Sequence, residues 1–255
     1  MMKKVIYTCL VGNYDTLLQP EVYDDSWDYI CFTDSENLKS DGVWRKKKIP
    51  YNDKDSTRLS RYPKILPHLV LPMYDVSLYI DANLCITNSK LYSICDSLIK
   101  NEILIAQVEH PFRHCVYQEV EECYTLRLIT LLQRMCHYLR YKNNGMPYGW
   151  GLYENNIIYR KHNDIKVQLI SEEWWKEYCR YSKRDQLSLP YVYFKNDFRP
   201  SLLFEKGVST RNSDCIRYVN HPHDRTEVRN SSFEILMVHV LNLMDKLHIL
   251  PSGLF

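Results

Sequence analysis

The sequence predicts an α/β fold in one domain of 255 residues, with a mixed, mostly parallel central sheet flanked by helices. Short apolar runs recur along the chain and are bounded by polar residues, as strands buried on both faces are. Segments with helical patterns alternate with these runs. The predicted strands cover residues 5–11, 28–34, 43–49, 77–87, 102–108 and 152–160.

Composition and charge are those of an ordinary soluble globular protein, with 45% apolar and 25% charged residues. Lys plus Arg is 33 against 31 for Asp plus Glu, so we expect no nucleic-acid partner. Nine cysteines without a CxxC pair indicate a reducing compartment, and neither a disulfide framework nor a zinc finger. The short apolar run at residues 5–11 is predicted to be a core strand, not a signal peptide. We therefore expect a cytoplasmic protein.

The segment SLYIDANLCIT at residues 77–87 interrupts a buried strand with polar residues. A carboxylate where such a strand ends is costly to bury unless it is paired or bound to a cation. Asp81 and Asn83 are two residues apart, so an extended chain would aim both side chains the same way. These residues predict a divalent-metal and diphosphate site. The plainer interpretation is that Asp81 caps a turn and Asn83 starts the next strand.

The first strand is followed by a loop with Gly12, Tyr14 and Asp15. In open α/β sheets, ligands bind beyond the carboxyl ends of the strands. Tyr14 is therefore predicted to stack on a base and Asp15 to accept a hydrogen bond from a ribose or base. An ordinary turn explains the same residues. The strand at 43–49 is more polar, which places it near an edge of the sheet.

A cationic segment precedes the central strand. Arg58, Arg61 and Lys64 recur at three-residue spacing, so they share one face of a helix capped by Asp55 or Ser56. That face predicts phosphate binding, and the plain alternative is a solvated surface. Prolines at positions 63 and 67 are predicted to kink or end this helix.

A dense polar cluster follows the strand at 102–108. It contains His110, Arg113 and Glu119, and a continuous amphipathic helix is predicted after it at residues 117–141. The loop at 143–151 holds three of the seven glycines and several aromatic rings, a pattern typical of a lid.

The later part of the chain contains three features. Asp185 and Gln186 lie in a segment predicted to start a short helix. Residues 190–225 are predicted to be irregular, and they include His221 and His223 as an open choice between surface histidines and metal ligands. A capping-box pattern starting at Ser231 predicts a last helix that packs on the core.

Seven strings occur in one order: GNYD, DYICFTD, SRYPKILPH, SLYIDAN, HPFRHCVYQE, GLYENNIIYR and SKRDQLS. As a set they resemble the glycosyltransferase-like domains of the TOD1/MUCI70 type (domain of unknown function 616), over roughly residues 4–195. Residues 196–255 then form a C-terminal extension. More distantly, the layout is similar to GT-A-fold glycosyltransferases of the glycogenin and galactosyltransferase kind.

The resemblance implies a GT-A-like domain in which an Asp-x-Asp motif holds Mn²⁺ and the donor diphosphate. Asp81 matches the first acid, and Asn83 replaces the second with a neutral oxygen ligand, which weakens metal binding or makes the metal dispensable. Asp185 and Gln186 match the pair near the donor sugar. His221 or His223 matches the C-terminal histidine that completes the metal site.

These expectations describe a glycosyltransferase that moves a sugar from a nucleotide-diphosphate donor, predicted to be a UDP-sugar. The predicted acceptor is a hydroxyl of a glycan or glycolipid in polysaccharide, capsule or lipopolysaccharide synthesis. A lipid-linked acceptor would bring the protein to the inner face of the membrane, so peripheral membrane association stays open. The predicted cofactor is Mn²⁺ or Mg²⁺.

The predicted roles follow from charge. Cations of the helix stabilise the leaving diphosphate, and the polar cluster at 109–119 contacts donor or acceptor. An inverting route needs a carboxylate base, for which Asp185 and Glu119 are candidates, and a retaining route is preferred. Two other classes stay open: a sugar-nucleotide nucleotidyltransferase and a non-catalytic carbohydrate-binding protein.

Overall fold

The computed structural model describes residues 2–12, 15–220 and 227–247. The strands within these ranges are β1 (Lys4–Leu10), β2 (Trp27–Thr33), β3 (Arg45–Lys48), β4 (Val76–Ile80), β5 (Leu84–Ile86), β6 (Ile105–Glu109), β7 (Tyr153–Arg160), β8 (Ser201–Leu202) and β9 (Ile216–Tyr218). The helices are α1 (Ser56–Ile65), α2 (Pro67–Val70), α3 (Lys90–Lys100), α4 (Val116–Thr125), α5 (Leu131–Asn143), α6 (Ile165–Arg180), α7 (Asp185–Lys195) and α8 (Ser232–Lys246).

Seven strands form one sheet in the order β3-β2-β1-β4-β7-β6-β8. Strand β1 pairs in parallel with β2 and β4, and β2 pairs in parallel with β3. Strand β7 runs antiparallel between β4 and β6, while β8 is parallel to β6. The predicted mixed, mostly parallel sheet is confirmed, and so is the edge position of the polar strand β3. Strands β5 and β9 form a separate antiparallel pair.

Buried residues lie on both faces of the sheet, as the predicted flanking helices require. Leu78 and Ile80 of β4 pack on the face that α3 and the β5–β9 pair cover. Tyr79 of the same strand packs on the opposite face, among residues of α1, α6 and α7. Successive side chains of a strand point to opposite faces, which explains this alternation. The parity also places Asp81, which follows β4, on the face of Tyr79.

The predicted continuous helix at 117–141 is wrong, because the chain forms α4 and α5 with a break between them. Arg127 has a φ of 52°, in the left-handed region that ends helices. Thr130 then starts α5 with a capping box, in which its hydroxyl accepts from the Gln133 N–H and the Gln133 side chain accepts from the Thr130 N–H. Local capping thus outweighs the apolar spacing that suggested one helix.

The predicted irregular stretch at 190–225 is described as far as residue 220, and that part contains regular elements. Helix α7 continues to Lys195, and β8 and β9 both fall within that stretch. The predicted capping box of α8 is confirmed, with Ser231 as its N-cap. Val238 and Leu241 of α8 are buried, and Lys142 of α5 pairs with Asp245 at 2.9 Å. Among the helices described, none combines the length and the apolar character that crossing a bilayer requires.

Candidate functional site

Asp81 lies at the carboxyl end of β4, at the centre of the large sheet. Its backbone N–H donates to the Asn156 carbonyl of β7 at 2.8 Å, which holds the residue after the strand ends. The Tyr79 hydroxyl donates to Asp81 Oδ1 at 2.6 Å, from the same face two residues earlier. Burial and the neighbouring Asp81 charge raise the pKa of Tyr79 well above its usual value, so the phenol stays a donor. The strand end therefore carries a carboxylate with a fixed orientation.

Helix α1 brings two of the predicted cations to this carboxylate. Asp55 is its N-cap, as predicted, and accepts from the Thr57 and Arg58 N–H groups. The helix passes through Pro63 and ends at Ile65, before Pro67 starts α2. This length puts the last turn of α1 against the carboxyl end of β4.

Lys64 and Arg61 meet a second carboxylate, Asp185, at the start of α7. Lys64 Nζ lies 2.7 Å from Asp185 Oδ2 and 3.5 Å from Asp81 Oδ1, and Arg61 Nε lies 3.4 Å from Asp185 Oδ2. We call Arg61, Lys64, Asp81 and Asp185 the four-charge cluster. Arg58, on the same helix face, pairs instead with Asp53 at 3.2 Å. The structure thus brings together four residues that the sequence places up to 124 positions apart.

Burial makes the four-charge cluster electrostatically strong. Lys64 is 2% exposed and Asp185 is 7% exposed. Burial alone would raise the pKa of Asp185, but the Lys64 ammonium and the Arg61 guanidinium outweigh it and hold that pKa well below its usual range. Asp185 therefore stays a carboxylate throughout the physiological pH range.

Asn83 has different neighbours from Asp81. A turn separates the two residues, and the Asn83 side-chain amide donates to the Val219 carbonyl at 2.8 Å, while the Val219 N–H donates to the Asn83 carbonyl at 3.0 Å. Asn83 is 4% exposed and joins the β5–β9 pair to the end of β4. The extended geometry that would aim Asp81 and Asn83 together is therefore not formed.

The predicted divalent metal finds a poor ligand set here. Asp81 faces Tyr79 and Lys64, and Asn83 uses its amide on Val219. Over residues 2–12, 15–220 and 227–247, no group of three or more His, Cys, Asp or Glu side chains is arranged to hold a metal ion. His221 and His223, the other predicted ligands, lie outside the described residues. The described residues of the site fit an ammonium between carboxylates better than a metal with oxygen ligands.

A second polar cluster lies beyond the carboxyl end of β6. Arg113 Nε donates to Glu119 Oε2 at 2.6 Å, and His110 Nε2 lies 3.2 Å from Arg113 Nη2. His110 Nδ1 accepts from the backbone N–H groups of Phe112 and Arg113, at 3.2 and 3.1 Å. Burial and the Arg113 charge lower the pKa of His110 to about 4, so it is neutral at pH 7. The predicted cluster forms, with Glu119 buried and paired.

Arg184 connects the two clusters, because it precedes Asp185 and lies beside the Cys123 thiol. That thiol donates to Glu119 Oε1 at 3.6 Å. Trp174 Nε1 donates to the Asp185 carbonyl at 3.1 Å, and the Gln186 side chain donates to the Tyr153 carbonyl at 3.2 Å. These hydrogen bonds fix the start of α7, and the Gln186 side chain therefore helps to position the helix.

The predicted nucleoside loop follows β1. The Gly12 N–H donates to both carboxylate oxygens of Asp34, at 3.0 and 3.2 Å, and Gly12 has a φ of 61°. Asp15 is half-buried in the same loop, and Tyr14 lies outside the described residues. Asp34 ends the DYICFTD string, so the strand-then-acid pattern that selected Asp81 would also have selected it.

Two further residues of the site were missed from the sequence. Arg160, at the end of β7, is 2% exposed and donates from Nη2 to the Tyr7 hydroxyl and to the Lys64 carbonyl, both at 2.6 Å. Tyr79 holds Asp81 as described above. An arginine ending an apolar strand was the available signal for the first. A tyrosine two residues before a strand-ending acid was the signal for the second.

Comparison with known proteins places the chain in a family. A model described as a TOD1/MUCI70, glycosyltransferase-like domain matches residues 1–206, and comparison with curated proteins gives no match. One similar solved structure is the apo form of the bifunctional glycosyltransferase WbbM, with TM-score 0.43 and 11% identity over 79% of this chain and 38% of that one. Another is the mannosyltransferase Ktr4p from S. cerevisiae, with TM-score 0.41 and 10% identity over 75% of this chain and 66% of that one. The match across residues 1–206 confirms the resemblance drawn from the seven strings, and the chain belongs to the TOD1/MUCI70 glycosyltransferase-like domain family.

Proposed function

We propose that the protein transfers a sugar from a nucleotide-diphosphate donor, a UDP-sugar, to a hydroxyl of a glycan or glycolipid. The observation that carries this proposal is the four-charge cluster, which lies at the carboxyl end of the central strand in a glycosyltransferase-like domain. Ligands of open α/β sheets bind at that edge. The pathway we propose is polysaccharide, capsule or lipopolysaccharide synthesis in the cytoplasm, with a lipid-linked acceptor at the inner face of the membrane as one form of it.

The reaction exchanges one bond at the anomeric carbon for another. The bond from that carbon to the β-phosphate oxygen breaks, and its electron pair leaves with the nucleoside diphosphate. A new bond forms from the carbon to the acceptor oxygen, and the acceptor's hydroxyl proton leaves. Most of the catalytic demand is therefore stabilisation of negative charge on the leaving diphosphate.

The cations of α1 face the leaving group in this proposal. Lys64 and Arg61 already lie at the strand end, and Arg58 is held one turn earlier by Asp53. The loop with Gly12, Tyr14 and Asp15 would hold the nucleoside. Mn²⁺ or Mg²⁺ stays a prediction from the family resemblance.

Asp185 is proposed to orient the donor sugar or to stabilise positive charge that develops on it. Its strongly lowered pKa makes it a weak base, which supports an orienting role. Glu119 is buried and paired with Arg113, so it would need to lose this partner to act as a base. Both facts support the retaining route, in which the leaving diphosphate takes the acceptor's proton.

His110 and Arg113 would contact donor or acceptor.

A screen of donor hydrolysis tests the proposal. Wild-type protein is incubated with UDP-, GDP- and CMP-sugars, with and without Mn²⁺, beside Asp81→Ala and the control Asp25→Ala. We expect hydrolysis of a UDP-sugar by wild type and a loss on the order of 100-fold in Asp81→Ala, because Lys64 loses one of the two carboxylates that hold its ammonium in place. Asp25 is exposed before β2, at the opposite end of the sheet, and its variant should match wild type.

Two outcomes contradict the proposal at different levels. If folded wild-type protein neither hydrolyses nor binds any donor, the proposed glycosyltransferase activity is wrong. If Asp81→Ala retains full activity, the assignment of the site is wrong, but the protein is still a glycosyltransferase. Isothermal titration with UDP adds a check against a non-catalytic carbohydrate-binding protein, which should not bind the nucleotide.

A further inference from the structure

The Lys64 side chain ends between two carboxylates in the interior of the protein. Its Nζ lies 2.7 Å from Asp185 Oδ2 and 3.5 Å from Asp81 Oδ1, and it lies 5.0 Å from the centroid of the Tyr79 ring. A buried lysine is costly unless it is paired, and these contacts provide the pairing. The ammonium is therefore a fixed positive charge at the end of the central strand.

Two side chains hold the backbone of Lys64 by hydrogen bonds to its carbonyl. Its carbonyl accepts from Arg160 Nη2 at 2.6 Å and from the Tyr7 hydroxyl at 3.4 Å. Pro63 has no N–H to donate within α1, and the Arg160 and Tyr7 side chains add hydrogen bonds to the last turn of the helix at the Lys64 carbonyl. A charge held in place before the substrate arrives requires no reorganisation during the reaction, which is the condition for strong electrostatic catalysis.

Two cations, Arg61 and Lys64, already contact the carboxylates of the four-charge cluster, Asp81 and Asp185. A divalent ion needs several oxygen ligands at short range. Oδ1 of Asp81 already accepts from Tyr79 and Lys64. A second positive ion beside the ammonium would also repel it at low dielectric.

We propose that the Lys64 ammonium supplies the positive charge that the family resemblance assigns to a divalent metal, so that donor binding and sugar transfer proceed without metal. The assignment rests on the glycosyl transfer proposed above. An ammonium has three N–H donors, and Asp185 and Asp81 account for two. In this proposal the third donates to a diphosphate oxygen that approaches past Asp81, whose side chain is 29% exposed while that of Lys64 is 2% exposed. When the bond to the sugar breaks, the electron pair stays on that oxygen, Lys64 keeps its proton, and Arg61 stabilises the same charge.

The experiment measures UDP binding by isothermal titration and UDP-sugar hydrolysis, on the full chain stripped with EDTA and then with added Mn²⁺. We expect the affinity and the hydrolysis rate of wild type to be the same, within about twofold, in the two conditions. Lys64→Met should weaken UDP binding in EDTA about 10- to 100-fold, as the loss of a charged hydrogen bond does. Lys100→Met removes an exposed lysine at the end of α3 and should bind UDP as wild type does.

The outcomes separate the two proposals. Binding and hydrolysis that vanish in EDTA and return with Mn²⁺ overturn the lysine assignment and leave glycosyl transfer intact. Absence of UDP and donor binding in both conditions overturns both. Unchanged UDP affinity in Lys64→Met also overturns the assignment. If Lys64→Met fails to fold, the wild-type comparison with and without metal still decides.

Discussion

Asp185 is the residue whose charge state most affects both the stability and the chemistry of the site. It is buried and contacts Lys64 and Arg61. Its pKa is held well below the usual value because these two cations outweigh the effect of burial. The carboxylate thus contributes to stability through the same ion pairs that make it a weak base. An acid in this setting is suited to holding charges and hydroxyl groups in place.

A substitution at Asp185 should make the stability less sensitive to acid. Asp185→Asn removes a buried ion-pair partner, and we expect the free energy of unfolding at pH 7 to fall by about 3 kcal/mol. Because the folded pKa is depressed, the contribution is fully present above the unfolded pKa of about 3.9 and is lost as pH falls below it. The difference between wild type and variant should therefore narrow from about pH 4 downward. Urea unfolding at a series of pH values measures it.

The matched control is Asp197→Asn, which removes an exposed carboxylate. Asp197 has a φ of 45°, a conformation that Asn tolerates well, so the change should not strain the backbone. Its unfolding free energy should follow wild type at every pH. A difference for Asp185→Asn that stays constant down to pH 3 would contradict the low folded pKa.

At the residue scale, the sequence identified most of the charged groups but not their partners. Arg61, Lys64 and Asp81 were predicted site residues because each is a charged group at the end of a strand or on one helix face, and Asp185 was predicted through the family resemblance. Asn83 was chosen by its spacing from Asp81, yet its partner is Val219, 136 positions later. Local spacing carries no information about a contact of that range.

At the scale of elements, two capping boxes of the same design start helices in different settings. Thr130 starts α5, which buries His137, Leu139 and Tyr141. Ser231 starts α8, which buries Val238 and Leu241 and leaves Phe233, Leu236 and Leu243 exposed. The energy of a cap is local, but its effect on global unfolding depends on how firmly the helix is joined to the core.

We expect Thr130→Ala to lower the free energy of global unfolding by about 1 kcal/mol, the usual value for a lost N-cap. Ser231→Ala should change global unfolding less and instead raise hydrogen exchange within α8. Urea unfolding and amide hydrogen exchange on both variants measure the two effects. Equal global losses would show that α8 unfolds together with the core.

The break between α4 and α5 shows where prediction of elements from sequence fails. Apolar spacing across 117–141 favours one helix, and the spacing continues through the break. The Thr-x-x-Gln pattern at Thr130 was the competing local signal. Strands β1, β2, β6 and β7 were predicted to within three residues at each end, because each is a bounded apolar run, whereas the predicted strand at 77–87 covers both β4 and β5 and the turn between them. The two-residue strand β8 and the three-residue strand β9 are too short to show any period.

For the whole molecule, the class of fold followed from the alternation of strand and helix patterns, and the mixed sheet was predicted correctly. The order of strands depends on contacts that the pattern does not encode. Strand β7 begins 73 positions after β4 ends, yet the two strands pair antiparallel. This pairing brings Arg160 to the Lys64 carbonyl, to which it donates a hydrogen bond. The site thus depends on long-range pairing, which explains why its charged residues were predictable and their arrangement was not.

The pairing of β9 with β5 has a consequence for anyone who expresses the domain by its family boundary. The family match ends at residue 206, but β9 lies at Ile216–Tyr218 and covers β5, and Val219 holds Asn83 beside Asp81. A fragment 1–206 would leave an unpaired edge next to the site. We expect it to aggregate or to lose UDP binding, whereas a fragment 1–220 keeps both properties of the intact chain. Size-exclusion chromatography and titration with UDP compare them, and equal behaviour would show that the recognised family segment is itself a complete folding unit.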